Sequence, residues 1–262
     1  VGDIMNKKYI ILFSIMIIYF LVIFGIFGVS SIKKEKREAI ILIDTETSWK
    51  LEKNNLTNID SEDLEDEIAG KKFSVFIDNK KLGDYYLTKN NTYLLRDDND
   101  KQVDYDLGSF LAINTNYNLA VLSLKTKKNQ DKSYIDKVLL ENNLDDIEEF
   151  TVDNYYQVDF DNDQVIENFY TISNAFARET SPKKVFTIAF MEKNGSIYYL
   201  YKSIENNDGQ NGCKPYLNSL IDIDEDQVYE IVLSCGYYSV EKRLDMLYSF
   251  KDNQFELLLS NQ

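Results

Sequence analysis

The chain has no histidine. That absence excludes Ser-His-Asp and Cys-His nucleophile systems and every imidazole metal site. Cysteine occurs only twice, at Cys213 and Cys235, which suits a zinc or iron centre poorly. Positive charge is scarce as well. The 29 Lys and Arg stand against 44 Asp and Glu, for a net charge of −15. An acidic surface of this size repels nucleic-acid backbones, so no nucleic-acid partner is expected. It attracts cations and basic partners instead. Paired carboxylates remain available for acid–base chemistry, but 44 acidic residues in 262 leave no pair that sequence alone can single out.

What the chain does have is an acidic segment that occurs twice. Val158-Asp159-Phe160-Asp161-Asn162-Asp163-Gln164-Val165-Ile166-Glu167 recurs as Ile221-Asp222-Ile223-Asp224-Glu225-Asp226-Gln227-Val228-Tyr229-Glu230, an offset of 222 − 159 = 63 residues. Asp159, Asp161, Asp163 and Glu167 fall at loop positions 1, 3, 5 and 9, as do Asp222, Asp224, Asp226 and Glu230. Carboxylates so spaced can converge in one tight loop and cage a hard cation with oxygen ligands. Calcium is the expected ion, up to two per chain, held weakly at about 10⁻⁴ M or poorer. The competing reading is a pair of solvated turns, because Asp and Asn side chains bond their own backbone.

Tyr9 to Val29 is a run of 21 residues without a charge. At a rise of about 1.5 Å per residue it spans the ~30 Å hydrocarbon core of a bilayer. Gly28-Val29-Ser30 has the small-x-small form of a cleavage site, but the run exceeds the ~7–15 apolar residues of a signal peptide. The reading is a short tail over 1–8, a retained transmembrane helix over 9–29 and a charged juxtamembrane segment over 30–38. Lys7 and Lys8 precede the span, and Lys33, Lys34, Lys36 and Arg37 follow it. That count leans towards a cytoplasmic C-terminal domain. Weak calcium loops are useful outside the cell. With the acidic, Tyr- and Asn-rich composition and the two cysteines, they favour a single-pass cell-membrane protein with an extracytoplasmic C-terminal domain.

The rest reads as mainly β with a few short helices. A smaller β-rich domain is expected over 39–150. Its strands are Ala39–Ile43, Phe73–Ile77 with Tyr85–Leu87, Tyr93–Leu95, Phe110–Ile113 and Leu119–Leu124. Asp44 to Gly70 is polar, with a short helix starting at Ser61. A second helix is expected over 134–142, capped by Ser133 and ended by a left-handed Asn142 or Asn143. Residues 151–262 divide into two units, 151–203 and 214–262, each of four strands around one acidic loop. The first has a strong hairpin at Lys193-Asn194-Gly195, and the second a matching turn at Lys251-Asp252-Asn253. Cys213 and Cys235 form a candidate disulfide, or two separate buried thiols. The Tyr155-Tyr156, Tyr198-Tyr199 and Tyr237-Tyr238 pairs read as strand residues facing opposite ways, with a sugar platform as the alternative.

The acidic units resemble the FG-GAP/VCBS-type repeats of bacterial surface proteins and integrin-like propellers. The resemblance covers about 110 residues, from Val152 onward. It implies a backbone carbonyl ligand at position 7, here Val165 and Val228, beside the four carboxylates of each loop. The family pattern has glycine at positions 4 and 6, where this chain has Asn162 and Gln164, then Glu225 and Gln227. Two units cannot close a ring of at least about four blades, so a partial propeller or a face-to-face sandwich is expected. The functional expectation is non-enzymatic binding of a protein or glycan ligand, with the lipid bilayer engaged through 9–29. The alternatives are a carboxylate-based carbohydrate-active enzyme at the cell surface and a structural subunit of a membrane complex.

Overall fold

A computed structural model of the chain describes residues 36–44, 47–77, 79–90, 92–103, 110–122, 124, 127, 131–147, 149–174, 184–206, 213–237 and 242–261. The expected membrane span 9–29 and Tyr238 lie outside these residues. Among the described residues no helix is long and apolar enough to cross a membrane. Arg37–Gln262 forms one compact unit.

This unit is mainly β. Strands β1 (Glu38–Ile43), β2 (Thr47–Glu52), β3 (Asn55–Asn58), β4 (Lys72–Ile77), β5 (Lys80–Asn90), β6 (Thr92–Arg96), β7 (Gln102–Val103) and β8 (Phe110–Thr115) form the first sheet. Their order is β3-β2-β1-β8-β4-β5-β6-β7. The second sheet is a meander in chain order: β10 (Thr151–Val158), β11 (Glu167–Ser173), β12 (Lys184–Lys193) and β13 (Ser196–Asn206). The third repeats that plan with β14 (Cys213–Asp222), β15 (Glu230–Tyr237), β16 (Lys242–Lys251) and β17 (Gln254–Ser260). It gains β9 (Ala120–Leu122) beside β14, with Leu122 opposite Leu220. All these pairings are antiparallel.

Side-chain alternation along the strands sets the layers. On β1, Ile40 and Leu42 face one way, into a core with Leu64 and Ile68 of helix α1 (Leu64–Ile68). Ala39, Ile41 and Ile43 face the other way and meet Ile221, Val232 and Leu247 of the third sheet, with Ile223 just past β14. Burial on both faces is why β1 reads as an unbroken apolar run. Each such side chain contributes roughly 1.5–3 kcal/mol of burial free energy. The second and third sheets stack through Phe160, Phe169 and Met191 against Leu217, Leu233 and Met246. Helix α2 (Lys132–Glu141) covers the outer face of the second sheet with Ile135, Val138 and Leu139. Tyr155 faces this outer core and Tyr156 the inner one.

Three local readings change. Asp44 to Gly70 contains the β2–β3 hairpin, whose turn residues Lys53 and Asn54 both take positive φ, 55° and 67°. Its Trp49 is fully buried. Helix α2 starts earlier than the serine suggested. Asp131 is the cap, and its Oδ1 accepts hydrogen bonds from both the Ser133 N–H (2.9 Å) and the Ser133 hydroxyl (2.7 Å). A carboxylate at the cap position has captured the serine as a donor. Asn143 does take the left-handed conformation just past the end, at φ 55°. Helix α1 spans only Leu64–Ile68, with Gly70 beyond it at φ 68°.

Candidate metal centre

Each acidic loop joins the first two strands of its meander, β10 to β11 and β14 to β15. The two loops have the same internal wiring. Asp159 Oδ2 accepts the Gln164 N–H at 3.0 Å, and Asp222 Oδ2 accepts that of Gln227 at 3.3 Å. Asp163 and Asp226 each accept the N–H two residues on, from Val165 and Val228, at 2.8 Å. The buried Glu167 and Glu230 reach back to the N–H of Phe160 (3.1 Å) and Ile223 (2.9 Å). Positions 4 and 6 are left-handed in both loops: Asn162 at 54°, Gln164 at 71°, Glu225 at 60° and Gln227 at 71°. The glycine positions of the resembled pattern therefore keep a glycine-type backbone without glycine, at a local cost of about 1–2 kcal/mol for a residue with a Cβ.

The wiring brings three carboxylates of each loop together. Oxygens of Asp159, Asp161 and Glu167 lie within 4.8 Å of one another, and so do those of Asp222, Asp224 and Glu230. Either triad could hold a metal ion. Asp163 and Asp226 belong to neither triad. Val165 and Val228 contribute N–H donors to those aspartates. The loops also dock on each other. The Tyr229 N–H bonds to the Phe160 carbonyl at 2.9 Å, and Asn162 Nδ2 to the Gln227 carbonyl at 2.9 Å.

The environments of the triads differ sharply. In the first loop the Lys193 ammonium sits among the acids, 2.5 Å from Asp161, 2.7 Å from Asp163 and 3.1 Å from Glu167. It also lies 5.8 Å from the Phe160 ring centroid, within cation–π range. Burial alone would lower the Lys193 pKa, but its hydrogen bonds to the three acids outweigh that and raise it. Asp163 is held below the usual carboxylate range, first by Lys193 and then by the Val165 N–H. Burial still raises Glu167.

Among the described residues no ammonium enters the triad of the second loop. Lys251 ends β16 as Lys193 ends β12, but among the described residues it makes no ion pair within hydrogen-bonding reach. It acts on Asp224 only through space. Asp222 is 7% exposed and Glu230 is 5% exposed. The buried oxygens Asp222 Oδ1 and Asp224 Oδ1 have no hydrogen-bond partner, a condition that Asp161 Oδ1 shares in the first loop. Burial raises Asp222 and Asp224 and pushes Glu230 up to about 8, with Asp224 adding to the last by repulsion. A cleft of about 520 Å³ opens on this triad, lined by Asp224, Glu230, Arg37, Lys251, Leu51 and Leu258.

Lys193 is the site residue that sequence reasoning missed, since a lysine before Asn-Gly reads only as part of a turn. The available signal was its match to Lys251 across the repeat, at an offset of 251 − 193 = 58. Cys213 and Cys235, left open by the sequence, form a disulfide across β14 and β15, with a Cα–Cα distance of 5.4 Å.

No protein-family model, curated protein or solved structure matches this chain. Its functional reading therefore rests on its own residues.

Proposed function

We propose that this is a single-pass cell-membrane protein whose extracytoplasmic β unit binds a protein or glycan partner without catalysis, and that calcium rigidifies its second acidic loop. The Asp222, Asp224 and Glu230 triad carries the reading. Three carboxylates this close, two of them nearly fully buried, repel one another and forgo hydration. A divalent cation offsets both penalties. The donors are all hard oxygens, which favours calcium or magnesium over zinc or copper. Calcium tolerates the irregular geometry that a loop of mixed carboxylates provides. The resemblance to FG-GAP/VCBS-type repeats supports the same ion, and the apolar run 9–29 supports the anchor.

The enzyme reading would need two facing acids whose environments push their pKa values apart. In the second loop Asp222, Asp224 and Glu230 all shift upward. That common direction comes first from burial and then from repulsion among the acids, and it does not set an acid against a base. The test is thermal melting of the full chain in detergent, with calcium or with a chelator. Calcium is expected to raise the melting temperature of the wild type and not of Asp224→Asn. An equal rise in both proteins refutes the assignment. Cleavage of the β unit by protease added to intact cells tests its location, and full protection would overturn the extracytoplasmic placement.

A further inference from the structure

The two acidic loops share backbone geometry but not their surroundings. In the first, a side chain of the protein already supplies a positive charge at the triad. Lys193 is the last residue of β12, and β12 pairs with β11, placing Glu192 opposite Asn168 at the exit of the loop. From there its ammonium lies over the Phe160 ring, 5.8 Å from the centroid. Its ammonium reaches Asp161, Asp163 and Glu167 at 2.5, 2.7 and 3.1 Å. The Lys193 side chain is only 13% exposed, and its partner Glu167 is fully buried. An entering ion would have to expel this ammonium and rehydrate it.

Among the described residues the second loop has no such plug. Lys251 occupies the corresponding strand end but stays exposed. Asp222 is more than nine-tenths buried, and its Oδ1 lacks a partner. The cleft lined by Asp224 and Glu230 gives an ion a route in from solvent.

We infer that the loops are a non-equivalent pair: Lys193 is the resident cation of the first loop, so that loop is closed to metal, and the second loop alone takes a single divalent ion. The role of the second loop rests on the calcium binding proposed for it. The closure of the first stands on the Lys193 geometry by itself. The repeat thereby supplies one permanent ionic staple and one that depends on calcium outside the cell.

The test is calcium stoichiometry by equilibrium dialysis on the full chain in detergent after chelator treatment. The proteins compared are the wild type, Asp161→Asn, Asp224→Asn and Lys193→Met, with circular dichroism as a check on folding. The wild type is expected to bind one ion. Asp161→Asn should leave that number unchanged, Asp224→Asn should abolish it, and Lys193→Met should raise it to two. A wild type that binds two ions and loses one in Asp161→Asn overturns the inference. So does a folded Lys193→Met protein that stays at the wild-type number. If the wild type binds none while Lys193→Met gains one, the calcium reading of the second loop fails and the role of Lys193 stands. Should Lys193→Met not fold, the comparison of wild type with Asp161→Asn still decides.

Discussion

Lys193 and Lys251 close equivalent strands of the two meanders, yet only Lys193 turns its ammonium into the neighbouring acidic loop, 2.5 Å from Asp161. The difference makes one loop electrostatically self-contained. It leaves the other with three crowded carboxylates whose ionised forms are disfavoured. That contrast, together with the ties between the sheets, sets how the unit responds to pH, metal and mutation.

Glu230 gives the protein a distinctive pH response in the absence of divalent ions. Its pKa is raised to about 8, mainly by burial. The unfolded value lies near 4.3. Between these limits the folded state binds the extra proton, so stability falls as pH rises from about 4.5 to 8. The slope reaches at most about 1.4 kcal/mol per pH unit for one proton. Asp222 and Asp224 shift in the same sense and sharpen the fall. The other charged groups around it are Asp226, Lys251 and Arg37. Urea unfolding in chelator across this range should show the decline, and Glu230→Gln should flatten it. A flat wild-type profile contradicts the assignment.

The left-handed loop positions should reward glycine. Gln227, at φ 71°, and Gln164, also at 71°, carry a Cβ in a conformation that glycine adopts freely. Gln227→Gly and Gln164→Gly are each expected to stabilise by about 0.5–1 kcal/mol, net of the greater entropy of glycine in the unfolded chain. Denaturant midpoints measure this directly. A destabilisation of similar size would show that these side chains hold the loops through contacts.

A buried polar cluster ties the third sheet to the first. Asp245 is fully buried and accepts from Arg243 Nε (2.7 Å), Thr47 Oγ1 (2.5 Å) and Ser234 Oγ. Arg243 also pairs with Asp44, whose Oδ1 receives the Phe110 N–H at 2.6 Å. Arg243 keeps Asp44 when Asp245 is removed, but Arg243 Nε, Thr47 and Ser234 lose their buried acceptor, so Asp245→Ala should cost about 1–3 kcal/mol. Equilibrium unfolding should register it as an earlier midpoint. A loss below about 1 kcal/mol would mean water reaches the cluster and screens the charge.

The Cys213–Cys235 bond closes a separation of 22 residues. In the chain-entropy model a loop of that size contributes roughly 3 kcal/mol. The Cys213→Ser/Cys235→Ser double variant should lose about that amount, measured under non-reducing conditions, and reductant should not destabilise the variant further. Equal stability of variant and wild type without reductant would indicate that the thiols are not joined.

The parts of the fold carried by local pattern were legible in the sequence. β1 was visible because burial on both faces demands the run Ala39 to Ile43. The Asn194-Gly195 turn was visible because both residues take positive φ, 52° and 80°. The duplicated acidic loops were visible because loop geometry fixes their spacing. The β2–β3 hairpin was not, because Lys53 and Asn54 form its turn without glycine and the surrounding acids mask Trp49. The Lys193 contact was illegible for a different reason. It joins residues 193 − 161 = 32 apart, and only the register of β11 with β12 brings them together. A lysine before an Asn-Gly turn is ordinary until that register is known. In the same way, the left-handed Glu225 and Gln227 run against their own preferences, and the hydrogen bonds of Asp222 and Glu230 impose that backbone.

The measurement that tests the central claim most directly is isothermal titration of the chelator-treated full chain in detergent with calcium. Saturable binding is predicted for the wild type, and its loss in Asp224→Asn. No binding heat and no change in melting temperature at millimolar calcium would contradict calcium binding at the Asp222, Asp224 and Glu230 triad, and would leave both acidic loops as structural turns.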